Sequence, residues 1–142
     1  MTEVAVPVWS RHRARLRATG PTLAVVALGG GLGALARYGM SGLLPAPWAT
    51  FSINLIGCFL IGVLMVLVTE VYAAHRLVRP FLGVGVLGGF TTFSTYAVEF
   101  RALLVPGKVG LAFGYLFGTL LGAMLAVVLG VWLTRALAGR RA

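Results

Sequence analysis

Charged residues occur along this chain in clusters, and three stretches between the clusters carry none: 38–69, 80–98 and 109–134. Each has about the ~20 residues a helix needs to cross the hydrocarbon of a bilayer. A fourth stretch is apolar from Thr22 to Ala36 and continues past Arg37 towards Leu44. The pattern predicts an all-α integral membrane protein with four spans, roughly 22–44, 50–69, 80–104 and 109–134. Pro45 and Pro47 end the first span, and Trp48 is placed as an interfacial anchor for the second. Pro80 opens the third, while Pro106 and Gly107 form the turn into the fourth.

Composition agrees with this pattern. Of 142 residues 59% are hydrophobic and 20 are glycine, and neither Asp nor Gln occurs, so a soluble polar surface has nothing to be built from. The net charge of +9 does not indicate nucleic acid, because the twelve Lys and Arg residues flank spans rather than lining one soluble face. Cys58 is alone, which excludes a disulfide framework, and His12 and His75 have no clustered ligands. The basic N-terminus, the apolar run and Ala34-Leu35-Ala36 imitate a secretory signal, but nothing downstream reads as a secreted domain.

These features divide the chain into a basic flexible tail (1–20), a four-helix membrane domain (21–136) and a basic C-terminal tail (137–142). Arg11, Arg13, Arg15, Arg17, Arg76, Arg79, Arg135, Arg140 and Arg141 lie on one side, against Arg37, Arg101 and Lys108 on the other. The positive-inside rule then puts both termini in the cytoplasm of a cell-membrane protein. Without the N-terminal tail the count is five against three, so the orientation rests on that tail.

Polar groups inside spans must find partners or a cavity. Asn54, in "NLIGCFLIG", is the only Asn; Gly57 and Cys58 share its face. It either bonds a neighbouring helix or offers amide donors to an anion. Arg37, in "GGGLGALARY", either snorkels to the interface or sets a positive charge in a water-filled mouth. In "GGFTTFSTY", Gly88 and Gly89 weaken the third span, and five of the next six residues after Phe90 carry hydroxyls. A broken span ends in carbonyls suited to a cation and restarts with N–H groups suited to an anion. Phe93 and Tyr96 share a face and offer positive ring edges. Tyr115 and Thr119 form a polar stripe on the fourth span, beside Gly or Ala at 110, 114, 118, 122, 126 and 130. That small-residue ladder serves either packing within one subunit or a dimer face.

In this order and in spans one to three, the three quoted motifs resemble the CrcB or Fluc family of fluoride channels, over about residues 22–134. The resemblance implies a four-span subunit that dimerises antiparallel, with the third helix broken at the dimer centre and two narrow fluoride pores. Asn54 matches the pore asparagine and Arg37 the arginine ending the first helix. Phe93 and Tyr96 match the aromatic pair flanking the path, Ser94 and Thr95 the hydroxyls between them, and Tyr115 and Thr119 the polar track. Gly88 and Thr91 match the positions whose backbone carbonyls hold a structural sodium ion. Tyr96 stands where the family usually has phenylalanine, and Ala123 where some members have serine.

Neutral donors suit a small, strongly hydrated anion, because they replace its water without a trapping charge. The implied function is passive fluoride export that protects the cell from fluoride, with no enzymatic step; no P-loop or nucleophile constellation occurs. A proton-coupled multidrug transporter also has four short spans, but it needs a carboxylate within the membrane, and Glu70 and Glu99 read as span ends. A non-transporting structural subunit leaves the hydroxyl cluster without a purpose. The orientation bias adds a further expectation: the antiparallel partner is either a second copy or a related, oppositely inserted chain.

Overall fold

A computed structural model describes residues 8–72, 74–105 and 107–139, with residues 8–18 by their backbone only. Residues 1–7 and 140–142 of the two tails, and Pro106 of the last turn, lie outside the described residues. All described elements are helical. They are α1 (Val8–Ser41), α2 (Trp48–Val66, continued by a π-helical turn Leu67–Val71), α3 (a π-helical segment Pro80–Leu87 and one α turn Gly88–Phe90), α4 (Phe93–Leu104) and α5 (Val109–Ala138). Four stretches are long and apolar enough to cross a membrane: Thr19–Ser41, Trp48–Val71, Pro80–Leu104 and Val109–Ala138.

Two boundaries differ from the sequence reading. The segment 8–20, expected as a flexible tail, already belongs to α1. It lacks an apolar period, but Arg11, Arg13, Ala14, Arg15, Leu16, Arg17 and Ala18 favour helix without needing a partner face. The interruption of the third span also lies elsewhere than the glycine pair. Gly88 and Gly89 are helical, and the extended residues are Thr91 (φ −74°, ψ 157°) and Thr92 (φ −145°, ψ 123°). β-Branched residues accept extended backbone readily. Gly89 is small for another reason: a Cβ there would strike the Gly30 backbone of α1.

In lipid, helices gain little from apolar burial against one another and rely on close packing. Here α1 packs along α3, α2 along α5, and α4 against the first half of α5. The α1–α3 crossing has glycine on both sides, Gly29 and Gly33 against Gly85 and Gly89. Gly62 of α2 lies on the Val127 carbonyl of α5, and Gly130 of α5 on the Phe59 carbonyl of α2. At one end Glu70 and Arg135 close the α2–α5 pair with a forked ion pair, Nη2 to Oε1 at 2.6 Å and Nε to Oε2 at 3.0 Å.

The ladder on α5 therefore divides. Gly122, against Leu55, and Gly130 serve packing within the subunit, whereas a Cβ at Gly110, Gly114 or Gly118 would meet nothing within 4 Å.

Candidate functional site

The two extended threonines are held by α2. Asn54 Nδ2 donates to the Thr92 carbonyl at 3.0 Å, and the Thr92 N–H donates to Asn54 Oδ1 at 2.8 Å. This reciprocal pair does for the break what a helical turn would otherwise do, satisfying buried backbone groups that lipid cannot. Gly57, one turn along α2, allows the approach, because a Cβ there would strike the Thr91 side chain.

The break takes the helical donors from the carbonyls of residues 88–91, and for Gly88 and Thr91 the diverted donor can be followed. An unbroken helix would give the Thr92 N–H to the Gly88 carbonyl and the Thr95 N–H to the Thr91 carbonyl. The first goes to Asn54 instead, and the second to Thr92 Oγ1 at 3.2 Å, which caps α4.

Two cavities flank the Asn54–Thr92 pair, and Thr92 lines both. The first, about 420 Å³, is lined by Asn54, Cys58, Thr91, Thr92, Phe93, Tyr96, Thr119 and Ala123, with apolar residues of α5. The second, about 340 Å³, is lined by Arg37, Tyr38, Ser41, Thr50, Thr92 and Thr95, with Ala34 and Ile53. The fold thus brings Asn54, Phe93, Tyr96 and Thr119 to one space, and Arg37 and Thr95 to another. Ser94 lines neither. No carboxylate pairs with Arg37 among the described residues.

Most hydroxyls here are already committed. Tyr96 Oη donates to the Leu116 carbonyl at 2.8 Å, Thr119 Oγ1 to the Tyr115 carbonyl at 2.7 Å, and Thr91 Oγ1 to the Leu87 carbonyl at 3.0 Å. Thr50 Oγ1 and Tyr115 Oη both donate to the Glu99 carboxylate, at 2.9 and 2.7 Å. The rings of Phe93, Tyr96 and Tyr115 follow one another at centroid separations of 5.7 and 5.4 Å, each pair tilted by 50°. Phe93 is 79% exposed although it lines the first cavity, whereas Tyr96 is buried.

Three residues take roles that the sequence does not assign to them. Thr92 is the common wall of both cavities, and Thr50 and Glu99 form one hydrogen-bonded group with Tyr115. Helical spacing carried the signal: Thr50 is one turn before Asn54, and Glu99 is one turn after Thr95. Glu99, expected at a span end, lies inside the Pro80–Leu104 stretch, half-buried among hydroxyls. Replacing it by Gln keeps one acceptor but turns an N–H₂ towards a second hydroxyl donor. Glu99→Gln is expected to cost about 1–2 kcal/mol, read as a lower unfolding temperature in detergent; an unchanged temperature would mean that these contacts add nothing.

These features define a class: a four-span helical membrane protein whose third span is interrupted beside a polar asparagine, with a cavity on each side. The sequence profile of the CrcB-like protein family, Camphor Resistance (CrcB), matches residues 24–131, a stretch that contains every residue lining the two cavities. The chain belongs to the CrcB family. It is 52% identical over 118 residues to Fluoride-specific ion channel FluC 2 of Streptomyces avermitilis, covering 80% of this chain and 75% of that one. It is 56% identical over 109 residues to Fluoride-specific ion channel FluC 1 of Streptomyces coelicolor (73% and 71% covered). With Fluoride-specific ion channel FluC 2 of Nocardia farcinica the identity is 62% over 99 residues (66% and 71% covered).

Proposed function

We propose that the chain is the subunit of a fluoride-selective channel that lets fluoride leave the cytoplasm passively. The observation that carries this is the family match over 24–131, with relatives named as fluoride-specific channels, across the residues that build both cavities. The local chemistry supports it. The first cavity has no charged side chain; its wall is mostly apolar, with the Asn54 amide and the Phe93 ring edge as its donors, and Arg37 stands in the second, where it raises the local anion concentration.

The path runs from the Arg37 cavity past Thr95, Thr92 and Asn54 to the cavity of Phe93, Tyr96 and Thr119, with Ser94 and Tyr115 beside it. The channel is an antiparallel dimer with the break at its centre. Two features support a partner: Phe93 is 79% exposed while lining a cavity, which leaves one wall open, and Gly110, Gly114 and Gly118 face nothing within the chain. The partner is a second copy or an oppositely inserted relative. Reporter fusions at the C-terminus decide between them, because a second copy requires an even mixture of orientations and a dedicated partner requires one.

The Gly88 and Thr91 carbonyls, with their helical donors diverted, fit a sodium ion, a hard cation that takes oxygen ligands. When bound there it would supply positive charge between two subunits and hold their breaks together. This chain's own part is to keep both carbonyls free of N–H partners.

Purified protein in liposomes tests the function: fluoride release read with an electrode, unaffected by an imposed proton gradient, is expected. Proton-coupled drug exchange without fluoride release would sink the reading in favour of a multidrug transporter. Glu99 is a carboxylate within the third span, so it is the family match that weighs against a transporter. In the same assay Phe93→Ile, which removes the ring edge, is expected to lower release about tenfold with no loss of assembly. Unchanged release would place the path away from Phe93.

A further inference from the structure

We propose that Thr92 is a positioning residue that sets which hydroxyl proton meets the anion: Thr95 presents a free O–H, and Ser94 does not. This rests on the channel reading above. The geometry of the Thr92–Thr95 contact, 3.1 Å, suits Thr92 Oγ1 as donor and Thr95 Oγ1 as acceptor. Thr92 has one hydroxyl proton, so its 3.3 Å contact with Ser94 Oγ is a hydrogen bond only if Ser94 donates. The Thr95 N–H takes the remaining lone pair of Thr92 Oγ1 at 3.2 Å. That oxygen is then saturated, with one bond given and two received.

The proton count leaves one hydroxyl over. Ser94 gives its proton to Thr92, and Thr92 gives its own to Thr95. Thr50, Thr91, Tyr96, Tyr115 and Thr119 spend theirs on carbonyls or on Glu99. Among the hydroxyls of residues 91–96, only the Thr95 proton is uncommitted. It ends a chain of aligned hydroxyls, each of which polarises the next and strengthens the last donor. The cavities agree independently, since Thr95 lines the one that holds Arg37, and Ser94 lines neither. Thr92 can hold this alignment because Asn54 grips its backbone from both sides, which fixes where Oγ1 points.

Four variants in the liposome assay test this. Thr95→Val is expected to lower fluoride release at least about tenfold, and Ser94→Ala by no more than about threefold, because only the first removes a donor to an ion. Thr92→Val should resemble Thr95→Val, while Thr92→Ser, which keeps the hydroxyl, should recover release to within about threefold of the parent. A Ser94→Ala loss equal to or larger than that of Thr95→Val overturns the proposal. So does a fully active Thr92→Val, or a Thr92→Ser that assembles and stays silent. If Thr92→Val fails to assemble on gel filtration, the Ser94 and Thr95 pair decides alone. A parent protein that releases no fluoride overturns the channel reading itself. An active parent with equal losses at Ser94 and Thr95 overturns only the proton assignment.

Discussion

Asn54→Ala is expected to reduce fluoride release at least about a hundredfold, with a lower unfolding temperature in detergent and with the proposed dimer still present on gel filtration. Two losses coincide at this one side chain. The amide holds the N–H and the carbonyl of Thr92, at 2.8 and 3.0 Å; truncation leaves the N–H buried without a partner and takes one of the carbonyl's two hydrogen bonds, since the N-cap carbonyl still accepts the first bond of α4. A group left without a partner costs about 1–3 kcal/mol, and more where water cannot enter. The second Nδ2 proton, the one not given to Thr92, is also a donor lost to the anion. Asn54→Asp separates the effects. It can still accept from the Thr92 N–H, but it cannot donate to the carbonyl, and it puts a negative charge beside an anion path. It should therefore be as silent as Asn54→Ala while losing less stability. Release within about threefold of the parent for Asn54→Ala would mean that the path does not pass this residue.

Gly130→Val should be among the most damaging single changes to the fold. A side chain at 130 is driven into the Phe59 carbonyl, just where Gly62 rests on the Val127 carbonyl from the other side. Neither obstacle is a flexible side chain, so the α2 and α5 backbones must separate along their length. Overpacking typically costs about 1–3 kcal/mol, and a backbone clash at a membrane helix crossing lies at or above the top of that range. The expected result is little or no monodisperse protein in detergent. Gly114→Val supplies the contrast, because nothing lies within 4 Å of its Cβ in the chain. It should leave the subunit folded and weaken the proposed dimer. Normal recovery and stability for Gly130→Val would refute the packing argument, and a normal dimer for Gly114→Val would move the partner face elsewhere.

The spans were legible because their cause is local. A bilayer demands about 20 residues without charge, and that demand is written along the chain with no reference to what packs on what. Asn54 was legible for the same reason, since an amide in an apolar run must have a partner. The site was only half legible. Hydroxyls in "TTFSTY" could be seen as a group, but their protons could not be assigned, because each depends on a carbonyl or carboxylate from another helix. In the sequence Tyr115 reads as part of a polar track, and Tyr96 as a ring edge with an added hydroxyl. The structure commits the first to Glu99 and the second to the Leu116 carbonyl. Glu99 itself was set aside by its position in sequence, although α4 carries it to Thr50 and Tyr115.

What the sequence determined by itself was therefore the solvent of this protein, its four helices and the short list of polar residues that lipid cannot accept. Burial of backbone and charge in hydrocarbon is so costly that composition alone reveals it. Only the tertiary structure decided where the third span opens, which half of the α5 glycines packs at home, and which donors remain unspent. The break lies at Thr91 and Thr92 rather than at Gly88 and Gly89 because Asn54, thirty-eight positions before Thr92, takes the hydrogen bonds that would have continued the helix. A hydrogen bond belongs to two groups at once, and no single stretch of sequence contains both.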